Sequence, residues 1–380
     1  MRILMLNNEF PPLGGGTGTV NRAILARLAD VPGLQIDLVT SALGRAVEHE
    51  QFAERVRIYK VPVRNRNLHH SSNRELLTYA ARALPLALRL QRRHPYDAVF
   101  AWSAVPAGGV ALALRKLTGL PYLVRVCGPD IPGFERRYGP LYPVLTPVIK
   151  AIWLGASHLV AKCQGEAEMM LAVAPGLTID LIPNGVDLAQ FPQAPIHDDG
   201  PLHLLSVARL IERKGQHHLI EAVRRLVAEG YDVVLELVGT GDAEPALREQ
   251  AEQAGVSQRV QFAGYVPREA IPGRYAAAHV FVLASFNEGM SVATLESMAA
   301  GLPAVVTKTS GTDELIDDGV SGFRFAWADL EALTEYLRHF ANDRTLARQM
   351  GDAARMRARA FTWEHAAARY LAIFERGLSR

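Results

Sequence analysis

The stretch Ser285-Phe286-Asn287-Glu288-Gly289-Met290-Ser291-Val292-Ala293-Thr294-Leu295-Glu296-Ser297-Met298-Ala299-Ala300-Gly301-Leu302-Pro303 decides how the chain is read. Just before it, Val280-Phe281-Val282-Leu283 is an apolar, β-branched run of the kind found in strands buried on both faces. Just after it, Ala304-Val305-Val306 is a second such run. The segment between predicts a helix from near Ser291 to Gly301, a stop glycine followed shortly by a proline. Glu288 stands at the carboxyl end of the first strand, and Glu296 about two turns further on, a spacing expected to set both carboxylates on one side. The amides of Gly289, Met290, Ser291 and Val292 open the helix, where free donors and the dipole favour an anion. Anion donors between two hydroxyl-seeking carboxylates suit a phosphorylated sugar. The plainer reading is two solvated glutamates, but Glu296 lies in the small, apolar run Leu295–Ala300, where an unpaired charge is costly.

Working outward, the strand–helix alternation covers the whole chain. Strands are expected at 3–6, 36–40, 56–61, 98–101, 122–126, 158–161 and 179–182, with helices at 18–29, 73–93, 107–117, 139–154 and 164–173. A stretch rich in Pro, Asp, Gln and Gly, 187–200, reads as a linker. The alternation then restarts, with strands at 202–207, 233–238, 260–262, 280–283, 304–306 and 322–325 and helices at 215–229, 243–254, 268–278 and 291–300. Three further helices are expected at 329–340, 344–360 and 363–378. This is the pattern of two doubly wound parallel sheets. The expected domains are 1–190 and 200–360, with a last helix in 361–380 packing back on the first domain.

A length of 380 residues fits two cores rather than one. No apolar run is long enough to span a bilayer, and Met1 to Leu6 reads as a first strand rather than a signal peptide. The two cysteines, Cys127 and Cys163, have no metal-ligand spacing and suit a reducing compartment. Residues 1–195 hold 21 basic and 14 acidic side chains, a balance of +7 that leaves −5 for the rest of a chain of net +2. A basic first half fits an anionic partner, and ordinary variation between domains explains it equally well.

Four loops carry chemistry. Pro11-Pro12-Leu13-Gly14-Gly15-Gly16-Thr17-Gly18 follows the first strand, and its glycines let amides approach a phosphate, although a merely tight turn fits as well. It lacks the third glycine of a dinucleotide fingerprint, because Thr19 or Asn21 stands there. Arg209 and Lys214, in Arg209-Leu210-Ile211-Glu212-Arg213-Lys214-Gly215, flank a strand-to-helix loop as fixed cations suited to charge on a departing phosphate. In Val126-Cys127-Gly128-Pro129-Asp130, Asp130 is placed to bind a sugar hydroxyl or orient an acceptor, or else to satisfy its own turn, and Cys127 reads as a plain buried thiol. Gly239 and Gly241 shape a fourth strand end, and Phe262 to Val266 offers Val266 to a nucleobase wall. The pairs His69-His70 and His217-His218 are expected to diverge, so no bound metal is predicted.

With these residues in hand, the chain resembles the retaining glycosyltransferases of family GT4, which have the GT-B fold of two Rossmann-like domains facing across a cleft. The likeness rests on the glycine loop, Ile182-Pro183-Asn184-Gly185-Val186-Asp187, Arg209 with Lys214, Gly239 to Gly241, Glu288 and Glu296 with seven residues between them, and Gly311-Thr312-Asp313-Glu314-Leu315-Ile316. It implies that Glu288 contacts the donor sugar and Glu296 the ribose. Arg209 and Lys214 would neutralise the diphosphate, and Gly15, Gly16 and the amides from Met290 to Val292 would approach the phosphates. Asp130 would border the sugar and the acceptor. The chain departs from the family at Cys127, where relatives carry His or Arg, and at Met290 and Ser291, where an aromatic and a glycine are common.

The expected reaction moves a hexose from a nucleoside diphosphate sugar to a glycan or lipid-linked acceptor, with retention, in polysaccharide or glycolipid synthesis. No cofactor, metal or nucleic acid is expected. The alternatives are a phosphorylase or sugar-phosphate synthase on the same scaffold and a non-catalytic sugar-binding module. A nicotinamide oxidoreductase is disfavoured by both glycine loops. The segment from Phe134 to Trp153, with Arg64, Arg66 and Arg74, either docks on the inner face of the membrane or forms ordinary helices with solvated arginines. The expected location is cytoplasmic, peripheral to that face if the first holds.

Overall fold

A computed structural model describes residues 1–377 except 66, 68–70, 136–137 and 194–198. The chain forms two units, Met1–Asn184 with Trp363–Arg380, and Gly185–Thr362.

The first unit runs β1 (Arg2–Leu6), α1 (Gly16–Ala29), β2 (Gln35–Ala42), β3 (Glu48–Ala53), β4 (Val56–Pro62), α2 (Asn73–Arg93), β5 (Ala98–Trp102), α3 (Gly109–Thr118), β6 (Tyr122–Arg125), α4 (Tyr142–Gly155), β7 (His158–Ala161), α5 (Gln164–Val173) and β8 (Ile179–Leu181). Its strands stand in the order β3-β4-β2-β1-β5-β6-β7-β8. All pairings are parallel except β3 with β4. The helices form because their apolar residues recur on one face. In α2, Tyr79, Ala83, Ala87 and Leu90 are buried at helical spacing. The Ser72 hydroxyl accepts from Glu75 N while the Glu75 carboxylate accepts from Ser72 N, closing a capping box. The Tyr79 hydroxyl donates to Val39 O across the interface at 2.9 Å.

The second unit runs β9 (Leu202–Val207), α6 (Gln216–Ala228), β10 (Val233–Val238), α7 (Glu244–Gln253), β11 (Val260–Gly264), α8 (Ile271–Ala276), β12 (Val280–Leu283), α9 (Val292–Ala299), β13 (Ala304–Thr307), α10 (Thr312–Leu315), β14 (Gly322–Phe325), α11 (Leu330–Asn342) and α12 (Arg344–Ala358). Its sheet is parallel throughout, in the order β11-β10-β9-β12-β13-β14. Successive strand residues feed opposite layers: Leu204 and Val282 join one apolar cluster, Leu205 and Phe281 the other. The last helix, α13 (Trp363–Gly377), returns to the first unit, where Tyr370 and Phe374 lie 5.0 and 5.5 Å from the Phe100 ring.

Three details differ from the sequence reading. The strand β3 was not expected; Glu-His-Glu-Gln-Phe-Ala has no buried residue, and only pairing with β4 makes it a strand. The segment expected as a linker from 187 begins inside the second unit's core, with Phe191 2% exposed and its carbonyl held by Arg355 at 2.7 Å. The rings of His217 and His218 do not diverge but lie 3.9 Å apart, His218 also meeting Trp327. His69, His70, Arg66, Arg136 and Arg137 lie outside the described residues.

Candidate active site

In open parallel sheets, ligands bind beyond the carboxyl ends of the strands, where the winding direction reverses. The second sheet reverses between β9 and β12, and the first between β1 and β5.

In the second unit the loop after β9 carries Arg209 and Lys214, and the loop after β12 carries Glu288. Lys214 Nζ donates to Glu288 Oε1, which also accepts from the Ser285 hydroxyl at 3.0 Å. The two side chains are 13% and 16% exposed. Burial lowers the Lys214 pKa, opposed by Glu288. Burial also pushes the Glu288 carboxyl up, but Lys214 and Arg213 outweigh it and hold it below the ordinary value. Glu288 is therefore ionised at neutral pH.

The backbone fixes this pair. Phe286 N donates to Arg213 O at 2.7 Å, and the Ser310 hydroxyl donates to Glu288 O at 2.8 Å. Gly215 has φ +67°, and a Cβ there would sit 2.0 Å from Ala284 O, so only glycine lets the two loops pass. Gly239 meets the same limit against Ala208 O at φ +135°, which gives it a packing role beneath the β9 loop. The Arg209 carbonyl accepts from Gln216 Nε2 at 2.9 Å.

Glu288 and Glu296 do not share a helix face. The helix α9 starts at Val292 because the Ser291 hydroxyl caps it, accepting from Thr294 N, so Glu288 lies in the preceding loop. The helical-spacing expectation therefore fails. Glu296, 4% exposed, takes Arg268 Nη1 at 2.9 Å and the Tyr275 hydroxyl at 3.2 Å. Burial raises its pKa, against Arg268 and Tyr275. Neither partner was singled out in the sequence, where nothing marks an arginine and a tyrosine from another segment as its neighbours. The loop from Gly289 to Ser291 is buried and leads into a helix with no acidic residue in its first turn, so its dipole is not neutralised there. Val266 is half-buried against the apolar cluster under α9, and its neighbour Tyr265 is 66% exposed.

In the first unit, Gly15 caps α1 and Gly16 begins it; a Cβ on either would meet no atom within 4 Å. Packing therefore explains neither glycine, whereas Gly14 needs φ +95° beside Glu9. Asp130 is 6% exposed, and its carboxylate accepts from Cys127 N (2.9 Å), Ala104 N (2.9 Å) and Val105 N (3.2 Å). It ties the ends of β5 and β6 together, the turn-satisfying role, with most of its acceptor capacity used by the main chain. Burial nevertheless pushes its pKa up to about 6 against those three amides and Lys162. Cys127 is half-buried rather than buried, with its thiol pushed up to about 11 by burial and Asp130. Beside it Arg125 stacks 4.6 Å over Trp102 and donates to Asn184 Oδ1 at 2.6 Å, and Lys162 pairs with the fully buried Glu166. Among the described residues, no group of three or more His, Cys, Asp or Glu side chains is placed to hold a metal ion. No described helix is long and apolar enough to cross a membrane.

The model of Glycosyltransferase Family 4 matches residues 14–190, and that of Glycosyl transferases group 1 matches 189–357. The chain belongs to glycosyltransferase family 4. It is 37% identical to the putative colanic acid biosynthesis glycosyltransferase WcaL of Salmonella typhimurium over 67% of its own length and 64% of the relative's. It is 26% identical to the GDP-mannose-dependent alpha-(1-6)-phosphatidylinositol monomannoside mannosyltransferase of Mycolicibacterium smegmatis, over 93% of this chain and 92% of that one. The fold is that of sucrose-phosphate synthase from Thermosynechococcus elongatus, with a TM-score of 0.87 at 21% identity, covering 99% of this chain and 98% of the other. The two-unit parallel α/β architecture expected from the alternation is thus that of the GT-B glycosyltransferases.

Proposed function

We propose that this family 4 chain transfers a hexose from a nucleoside diphosphate sugar to a glycan or lipid-linked acceptor, with retention at the anomeric carbon, in cell-surface polysaccharide or glycolipid synthesis. The observation that carries the reading is the partly buried Lys214–Glu288 pair at the winding reversal of the second sheet, beside the start of α9. A fixed ammonium in a poorly hydrated site stabilises negative charge developing on a leaving diphosphate more than it would in water. Glu288 holds that ammonium and, with acceptor capacity to spare, takes hydroxyls of the donor sugar. Arg209 adds a second cation, and the amides of Met290, Ser291 and Val292 cradle phosphate oxygens. Glu296, held by Arg268 and Tyr275, receives the ribose hydroxyls, with Gly239 and Val266 bordering the nucleoside. The resemblance alone assigns Gly15 and Gly16 to the phosphates and Asp130 to the acceptor side. No protein nucleophile is invoked: the acceptor oxygen attacks the anomeric carbon on the face the diphosphate leaves, and the diphosphate takes its proton. No metal or other cofactor is assigned.

The test is proton NMR of the product formed from UDP-glucose or GDP-mannose with alkyl glycoside acceptors. Retained configuration is expected, and an inverted product overturns the mechanism. Turnover dependent on inorganic phosphate would instead favour a phosphorylase.

A peripheral contact with an anionic bilayer, on its cytoplasmic face, belongs to the same reading. Leu141, which caps α4, and Val144 and Val148 within it are 38%, 73% and 50% exposed at helical spacing. Lys150 lies on the same helix, and Arg115 and Lys116 are exposed at the end of α3, Arg115 donating to Gly155 O at 2.7 Å. An apolar stripe with flanking cations fits acyl chains and lipid phosphates. Flotation with phosphatidylglycerol vesicles is expected to be salt-sensitive and lost in Val144→Asp/Val148→Asp; binding unchanged by both substitutions and by salt rejects the contact.

A further inference from the structure

Glu296 is a buried carboxylate short of hydrogen-bond donors. Its Oε1 has practically no surface open to solvent and, among the described residues, accepts no hydrogen bond. Arg268 Nη1 comes within 2.9 Å of that oxygen, near enough for charge attraction, but its N–H bonds do not point at it. At the other oxygen, the Tyr275 hydroxyl has one proton for two acceptors, Ala293 O at 3.0 Å and Glu296 Oε2 at 3.2 Å. An ionised carboxylate has room for about four hydrogen bonds, and leaving such capacity unused in a buried place is costly.

The two partners of Glu296 differ in freedom. The Tyr275 ring is fully buried, 5.6 Å from Phe191 and 6.0 Å from Phe281. Arg268 stands on the single turn Arg268–Ala270 before α8, and its side chain is 46% exposed. A long, half-exposed arm on a short surface turn is able to swing into water. While it stays, nothing reaches Oε1; once it leaves, an acceptor lacking donors is uncovered. The ligand that gains most there has two neighbouring hydroxyls, each giving its proton to one carboxylate oxygen. The 2′- and 3′-hydroxyls of a ribose are such a pair, whereas a phosphate is repelled by the carboxylate.

We propose that Arg268 is a positioning residue of the donor site, a movable cover that keeps Glu296 paired and that the ribose of the nucleotide sugar displaces. This rests on the reading of Glu296 as the ribose-binding carboxylate of a glycosyltransferase. Guanidinium and ribose then compete for one carboxylate, and releasing the arginine weakens the affinity that the nucleotide would otherwise have. In return, Glu296 has a charge partner whenever the ribose is elsewhere, and a buried carboxylate without one is strongly destabilising.

The test is calorimetric titration of the full chain with UDP, GDP and ADP, comparing the parent, Arg268→Ala, Glu296→Gln and the double variant. At least one nucleotide is expected to bind the parent. Arg268→Ala is expected to bind it about fivefold more tightly, the order of one ion pair with a half-exposed member. In the Glu296→Gln background there is no ion pair to release, and Arg268→Ala should change affinity by less than about twofold. An arginine with a merely structural role would, when removed, weaken binding or leave it alone. A second measurement follows the Arg268 Nε–H resonance, assigned by its absence from Arg268→Lys, which is expected to move when nucleotide is added to the parent. The proposal is overturned if no nucleotide binds, if Arg268→Ala binds no more tightly than the parent, if the tightening survives in Glu296→Gln, or if the resonance stays in place. Turnover of UDP-glucose or GDP-mannose by the parent separates the two levels. Turnover without tightening in Arg268→Ala removes only this inference; tightening without turnover removes the transferase reading and leaves a nucleotide site.

Discussion

Both sheets reverse their winding in the middle, yet the two reversals are built from different material. In the second unit, charged side chains meet across the gap: Lys214 from one loop, Glu288 from the other, with Gly215 and Gly239 letting the backbones pass. In the first unit the main chain dominates. Glycines without steric reason open α1, three amides converge on Asp130, and Ser103, at φ +88°, is held where glycine belongs. One half supplies fixed charge and the other shape and neutral hydrogen bonding. That division suits a reaction in which one substrate departs with negative charge and the other arrives as an alcohol.

The contrast breaks most readily at Lys214. Lys214→Met is expected to lower kcat by about 10²–10³, the usual cost of losing one transition-state donor. It should also lower stability by about 3 kcal/mol by stranding Glu288 in a poorly hydrated site. Adding Glu288→Gln should return most of the stability and none of the activity. Nucleoside diphosphate release and urea midpoints read the two separately; full activity in Lys214→Met removes the charge argument.

Next in size are two glycine substitutions. Gly215→Ala forces a Cβ against Ala284 O at positive φ and is expected to cost about 3 kcal/mol. Gly15→Ala meets open space and should change stability by less than about 0.5 kcal/mol. A clear loss of nucleotide-sugar turnover in that stable variant would show that the glycine serves ligand approach. Unchanged turnover would leave it a simple turn residue.

A further effect concerns pH. Burial holds Asp130 up at about 6, above its ordinary 3.8, so between these values the folded chain binds a proton that the unfolded chain has lost. Its contribution to stability should therefore fall as pH rises from about 4 to about 6, by at most about 1.4 kcal/mol per unit. Urea midpoints of the parent should drop relative to Asp130→Asn across that window. Parallel midpoints would mean that the three amides, not burial, set the carboxyl.

Much of this was legible in the sequence, for identifiable reasons. Val280–Leu283 and Ala304–Thr307 announce themselves because strands covered on both faces need continuous apolar runs. Glu288 was placed at a strand end, and Lys214 at the far side of a strand-to-helix loop, by the same logic. What escaped depends on contacts the sequence does not encode locally. The strand β3 is polar and borrows its form from β4. The phase of Glu288 was misread because helical spacing was carried back past Ser291, where the helix begins, into the loop that holds the glutamate. No residue pattern marks Ser103, since its backbone is dictated by bonds from Arg125, Gly108 and Asp130.

The return of α13 to the first unit has a consequence for biosynthesis. Phe100 and Trp102, at the centre of that sheet, are covered by Tyr370 and Phe374, which are synthesised only after the whole second unit. The half that is translated first therefore holds an uncovered aromatic face throughout synthesis of the second. A nascent chain halted near Thr362 should recruit chaperones that the finished protein no longer needs.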